Sequence, residues 1–225
     1  MGITFNAQKF TRYEINKLSL IKNGDCGLYG YIYRLNEEEC LKYYKVHIDA
    51  YQYFKINEFT QYSFETAVFP TRLVLVDKKF RGYIMNYVEG YRLDECKNME
   101  FSTLLKLYKE YIDTILDELS EERIEMYDVH PGNIMYDTLN KKFKSIDCED
   151  WEVSNLSAQK IKENNFRKLN LAFRSILTED DFCFMKKMTL DTDFIDYYES
   201  FRQKQEKKSK RKILVVKDFI NSCWR

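Results

Sequence analysis

The chain has 225 residues, 44% hydrophobic and 16% aromatic, enough for one large domain or two small lobes with a real core. Its 36 basic and 36 acidic residues cancel, so no global charge steers it toward nucleic acid or an anionic membrane. No apolar run approaches the ~20 residues that span a bilayer.

The opening "MGITFNAQKF" lacks the apolar stretch of a secretory signal, and Asn6 stands where a myristoylation signal needs Ser or Thr. Cys26, Cys40, Cys96, Cys148, Cys183 and Cys223 are scattered, with no CxxC and only two histidines in the chain. That spacing argues against a zinc site and a disulfide framework, and the expected compartment is the cytoplasm.

The first ~90 residues read as strand-rich. "LSLIKN" and "LYGYIYRL" flank a glycine-containing turn, and "ECLKYYKV" follows an acidic turn. Residues 50–67 carry apolar or aromatic side chains at 54, 56, 59 and 62, which predicts a helix. "RLVLVD" and "RGYIMNYV", joined by "KKF", read as two further strands.

After Gly90 the periodicity becomes helical. Leu104, Tyr108, Tyr111, Ile112, Ile115 and Leu119 recur at spacings of three and four, with Ser102 as the expected N-cap. Residues 127–150 read as loop, a strand "NIMYD", a turn "TLNKK" and a strand "FKSID"; helix resumes from about 155. The basic run at 202–212 reads as a solvated face. The expected division is 1–89 and 90–225, with a hinge near 86–90.

"YDVHPGNIMYD" and "SIDCEDWE" place Asp128, Asn133 and Asp147 in order, with a Pro131-Gly132 turn between the first two. Magnesium prefers oxygen ligands and is held by one or two side chains plus substrate phosphates. A further Asp, not committed to metal, can orient or deprotonate an attacking hydroxyl.

The pattern D-x-x-x-x-N followed by I-D resembles the protein-kinase-like superfamily, above all its aminoglycoside and choline phosphotransferase branch and the compact RIO-type kinases. Met126 stands where that branch has its first His, and Cys148-Glu149 replace Phe-Gly. The resemblance implies an α+β, bilobal kinase-like fold with a small antiparallel-sheet N-lobe and a reduced, mostly helical C-lobe. It implies Asp128 as catalytic base, with Asn133 and Asp147 as magnesium ligands. "DCGLYGYI" matches two glycines and the apolar position of the family's phosphate-covering loop at Gly27, Gly30 and Ile32.

Lys42 falls where the family's phosphate-binding lysine sits, with Lys45 as its competitor. Glu58 is the expected acidic partner from the helix, with Glu65 second. Met85, Asn86, Tyr87 and Val88 would line the adenine site. No long activation segment follows Asp150. The resemblance thus leads to an ATP- and Mg2+-dependent kinase acting on protein Ser or Thr hydroxyls. A small-molecule phosphotransferase and a pseudokinase acting as a binding module stay open. No membrane or nucleic-acid partner is expected.

Overall fold

The computed structural model describes residues 6–21, 30–176 and 193–209. The fold is α+β, and the chain forms two compact units. One is Met1–Val88 with Asp147–Glu149; the other is Glu89–Ile146 with Asp150–Arg225. The three residues from Asp147 to Glu149 belong with the first unit.

The first unit is built on a six-stranded sheet of order β1-β5-β6-β4-β3-β2. Its strands are β1 (Ala7–Phe10), β2 (Ser19–Leu20), β3 (Gly30–Arg34), β4 (Glu39–Tyr44), β5 (Pro70–Val76) and β6 (Lys79–Asn86). The expected antiparallel sheet is corrected to a mixed one: β1 runs parallel to β5, and every other pair is antiparallel. Between β5 and β6, Asp77 and Lys78 both take positive φ (51° and 63°), the backbone of a two-residue hairpin turn whose twist matches the strands.

Two helices serve this sheet. α1 (Arg12–Asn16) starts in a capping box: the Glu14 N–H donates to the Thr11 hydroxyl, and the Thr11 N–H donates to the Glu14 carboxylate at 2.7 Å. Its Ile15 joins Leu41, Val74, Val76 and Ile84 in a buried cluster, with Tyr43 packed against it. Strand alternation therefore sends Leu41 and Tyr43 of β4 to that core and Cys40, Lys42 and Tyr44 to the other face.

α2 (Ala50–Phe59) is N-capped by Asp49, which accepts from the Gln52 N–H at 2.8 Å. It reaches the Lys42 face through rings: Tyr53 lies 5.1 Å from Phe80, and Phe80 lies 5.9 Å from Tyr44. The helix ends at Phe59 and not at 67. Beyond it the apolar residues serve a ring cluster, in which Phe59 stacks on Phe69 at 5.5 Å and Phe64 meets Phe69 edge-on at 5.0 Å.

The second unit contains β7 (Gly90–Arg92), α3 (Phe101–Glu121), β8 (Ile124–Glu125), β9 (Ile134–Asp137), β10 (Lys142–Ser145), β11 (Glu152–Val153), α4 (Ala158–Ser175) and α5 (Phe194–Ser209). Its strands form a three-stranded sheet, β10-β9-β7, and a two-stranded ribbon, β11-β8. All six residues that define the apolar face of α3 are buried. Burying each such side chain is worth about 1.5–3 kcal/mol against leaving it in water. That face meets rings from α4 and α5: Tyr108 lies 4.9 Å from both Phe173 and Phe194. The N-cap of α3 is Glu100 and not Ser102, which sits exposed in the first turn. Residues 210–212 of the basic run lie outside the described residues.

Candidate functional site

In the first unit, β4 turns Lys42 away from the α1 core into a buried position, where it is 6% exposed. Its ammonium donates to Asp147 Oδ1 and, at 2.8 Å, to Glu149 Oε1. The second Glu149 oxygen accepts from the hydroxyl of Tyr44, two residues along the same face of β4. Glu149 is buried, whereas Asp147 keeps 37% of its side chain in solvent. Burial works against the charge on Lys42, but the Glu149 and Asp147 carboxylates outweigh it and hold the lysine pKa above its ordinary value. Burial pushes the Glu149 carboxyl up against the pull of Lys42. Tyr83, the cross-strand partner of Lys42, is fully buried; burial first, then Glu149, raises its phenol well above the ordinary range.

Lys45, the competitor, is exposed, with its ammonium 4.5 Å from the Tyr31 ring centroid. The two lysines differ in surroundings: Lys42 is buried on two carboxylates, and Lys45 is exposed past the end of β4. The expected partner Glu58 is corrected: it is exposed on α2, and the carboxylates on Lys42 are Asp147 and Glu149. Glu65 is exposed as well. Glycine has a second role here that the sequence reading missed. A Cβ on Gly82 would lie 1.9 Å from the Lys42 carbonyl oxygen, so only glycine lets β6 pass this close to β4.

Of the glycine-loop residues, Gly27 lies outside the described residues. Gly30 opens β3, where a Cβ would come within 2.9 Å of the Tyr43 carbonyl oxygen, so close strand pairing already accounts for it. Ile32 is half-buried and pairs with Lys42. Met85 and Val88 are buried, and Asn86 is exposed at the end of β6. The Tyr87 N–H donates to the Glu38 carbonyl at 2.7 Å, and the Arg34 guanidinium stacks 3.4 Å from the Tyr87 ring centroid. That amide is thus committed within the fold and not offered to an adenine.

In the second unit the Asp128–Asn133 stretch closes on itself as the spacing predicts. Pro131–Asn133 forms a 3-10 turn in which the Gly132 N–H donates to His130 Nδ1 at 3.1 Å. The Asn133 Nδ2 donates to the Asp128 carbonyl at 3.0 Å and to its carboxylate at 3.3 Å. The Ile146 N–H donates to the Asn133 carbonyl at 2.9 Å. Upstream, the buried Asn165 of α4 accepts from the Met126 N–H and donates to the Ile124 carbonyl, each at 2.9 Å. Met126, where the resembling family has His, is a buried apolar residue.

Asp128 (φ 52°) and Asp147 (φ 61°) both occupy the left-handed region. That conformation costs a residue with a Cβ on the order of 1 kcal/mol or more, and it concentrates at functional sites. Asp128 is exposed. No group of three or more His, Cys, Asp or Glu side chains among the described residues is placed to hold a metal ion. No helix among them is long and apolar enough to cross a membrane. A scan against protein-family models matches no family, and a search of curated proteins finds no match.

Proposed function

We infer that this chain is an ATP- and magnesium-dependent phosphotransferase of protein-kinase-like fold that transfers the γ-phosphoryl group to a hydroxyl. One observation carries the reading. Lys42 and Asp147, 105 residues apart and selected from separate motifs, are hydrogen-bonded partners. A lysine bound for phosphates and a carboxylate bound for their metal belong together, because both neutralise the same triphosphate. The left-handed backbone at Asp128 and the Asn133 contact to it add support.

By their chemistry, Asn133 and Asp147 each offer an oxygen suited to a hard cation. Asn133 turns its NH2 to Asp128, which leaves its amide oxygen as a donor; Asp147 is a half-exposed carboxylate. One ammonium faces two carboxyl groups at Lys42. Magnesium needs only one or two such side chains, because phosphate oxygens and water complete its shell. When bound, it would draw charge from the β- and γ-phosphates. Lys42 would hold the α- and β-phosphates, and Asp128 would orient the acceptor hydroxyl and take its proton.

The acceptor we propose is a Ser or Thr hydroxyl on a protein. Between Asp150 and α4 the chain has only the two-residue β11 and short connecting loops, a stretch too short for a helical layer over a small molecule. ATP supply and the free, buried thiols of Cys40, Cys96 and Cys148 suit the cytoplasm. The test is incubation with γ-labelled ATP and magnesium, with and without cell lysate. Label on a protein Ser or Thr is the expected result. Label on a metabolite would move the reading to a small-molecule phosphotransferase. Nucleotide binding without transfer would make the protein a pseudokinase.

A further inference from the structure

We propose that Glu149 is the positioning residue for Lys42, holding the ammonium on the nucleotide phosphates in the place that Glu58 was expected to fill. The proposal rests on the phosphotransferase reading and names how its lysine is held. Asp147, Cys148 and Glu149 are consecutive, so one tripeptide supplies two different carboxylates to a single ammonium.

The two carboxylates differ in what they can leave. Asp147 has 37% of its side chain in solvent; Glu149 has 4%, with one oxygen on Lys42 and the other on the Tyr44 hydroxyl. Asp147 meets Lys42 through Oδ1 and faces solvent, so it can turn toward a cation, whereas both oxygens of Glu149 are held by side chains of β4. Lys42 therefore keeps a partner when Asp147 is drawn to magnesium. Tyr44 and Lys42 share one face of one strand, so lysine, hydroxyl and carboxylate form a closed brace that does not include α2.

A buried ion pair contributes little stability on balance, because desolvating the charges offsets their attraction. Apolar side chains of similar volume would fill this position at no such cost. What the pair provides is orientation: an ammonium with a fixed direction, ready for phosphate oxygens.

The test uses the full chain and two probes, magnesium–ADP and adenosine, with affinities read by calorimetry. Glu149→Gln should weaken ADP binding ~10-fold or more and leave adenosine within ~2-fold, because Lys42 touches phosphate and not the nucleoside. Tyr44→Phe, which keeps the ring, should weaken ADP by a smaller factor of ~3. Glu58→Gln should change neither. Equal loss of ADP and adenosine in Glu149→Gln would mean a general structural role and would overturn the proposal. So would a Glu58→Gln variant that reproduces the phosphate-selective loss. If the wild type binds neither probe, the phosphotransferase reading fails on its own. The brace is then decided by a double-mutant cycle of Lys42→Met and Glu149→Gln on unfolding midpoints: non-additive effects support it, and additive effects overturn it.

Discussion

Asn133 reaches back five residues to Asp128 and donates to both its main-chain carbonyl and its carboxylate, at 3.0 and 3.3 Å. The contact fixes an aspartate whose backbone sits at φ 52°, a conformation that persists only where surrounding bonds over-determine it. Asp128→Asn should therefore lower kcat by about 10²–10⁴-fold with nucleotide affinity almost intact, as expected for a proton-accepting group. Asp147→Asn should differ by weakening magnesium–nucleotide binding as well. Calorimetry alongside single-turnover kinetics separates the two. Equal loss of affinity in both variants would sink this division of labour.

Lys42 and Lys45 give a sharper contrast. Lys42 is buried against two carboxylates; Lys45 is exposed beside Tyr31. Lys42→Ala should cut kcat/KM for ATP by about 10²-fold or more, on the scale of losing one preorganised donor to a developing charge. Lys45→Ala should stay within about twofold, the scatter of an exposed substitution. The reverse pattern would place the phosphate contact at Lys45, past the end of β4.

The parts of this molecule that were legible in advance are those encoded by local periodicity. The α3 face is the clearest, since a 3.6-residue repeat over about four turns has few other physical meanings. The Asp128–Asn133 turn was legible for a similar reason: Pro131 and Gly132 bend the chain within five residues. Pairings across long separations were not. β1 is four residues of no marked alternation, and its parallel partner β5 begins sixty residues later, so nothing local announces it. Glu149 was hidden the same way, 107 residues from Lys42. The available signal was its departure from the resembling family: a charged residue where Gly was expected, in a segment otherwise destined for burial. The overlong helix at 50–67 has a different cause. Tyr62 continues the helical spacing three residues past Phe59, yet it packs with Phe59, Phe64 and Phe69 as a loop cluster.

Gly82 tests how closely β6 must approach the lysine strand. An added Cβ would lie 1.9 Å from the Lys42 carbonyl oxygen, a main-chain atom that cannot rotate aside. Gly82→Ala should destabilise the protein by roughly 1–3 kcal/mol, the usual cost of forcing volume into a packed position. Because the displaced atom belongs to Lys42, ATP affinity should fall as well. Denaturant midpoints and calorimetry measure the two effects. A variant of wild-type stability would show that β6 shifts freely and that Lys42 is not held by strand register.

Asp137 supplies a pH dependence whose sign follows from its bonds. It is buried, and its Oδ1 accepts from the Leu139 and Asn140 N–H groups, each at 3.0 Å, while Oδ2 accepts from the Asn140 side chain at 2.8 Å. Burial raises its carboxyl pKa, but the Asn140 hydrogen bonds and the Lys144 ammonium outweigh it, and the net shift is below the ordinary 3.8. A depressed carboxylate binds its proton less readily folded than unfolded, so its stabilisation is complete above the unfolded pKa. It is then lost as pH falls from about 3.8 through the folded value. Asp137→Ala should thus cost about 1–3 kcal/mol at neutral pH, the usual penalty for stranding partners of a charged acceptor. The gap between wild type and variant should hold steady down to pH near 4 and narrow below it. Urea midpoints taken from neutral to acid pH give the measurement. A gap that widens on acidification would mean that the carboxyl is protonated in the fold and that the β9–β10 turn is held by its neutral form.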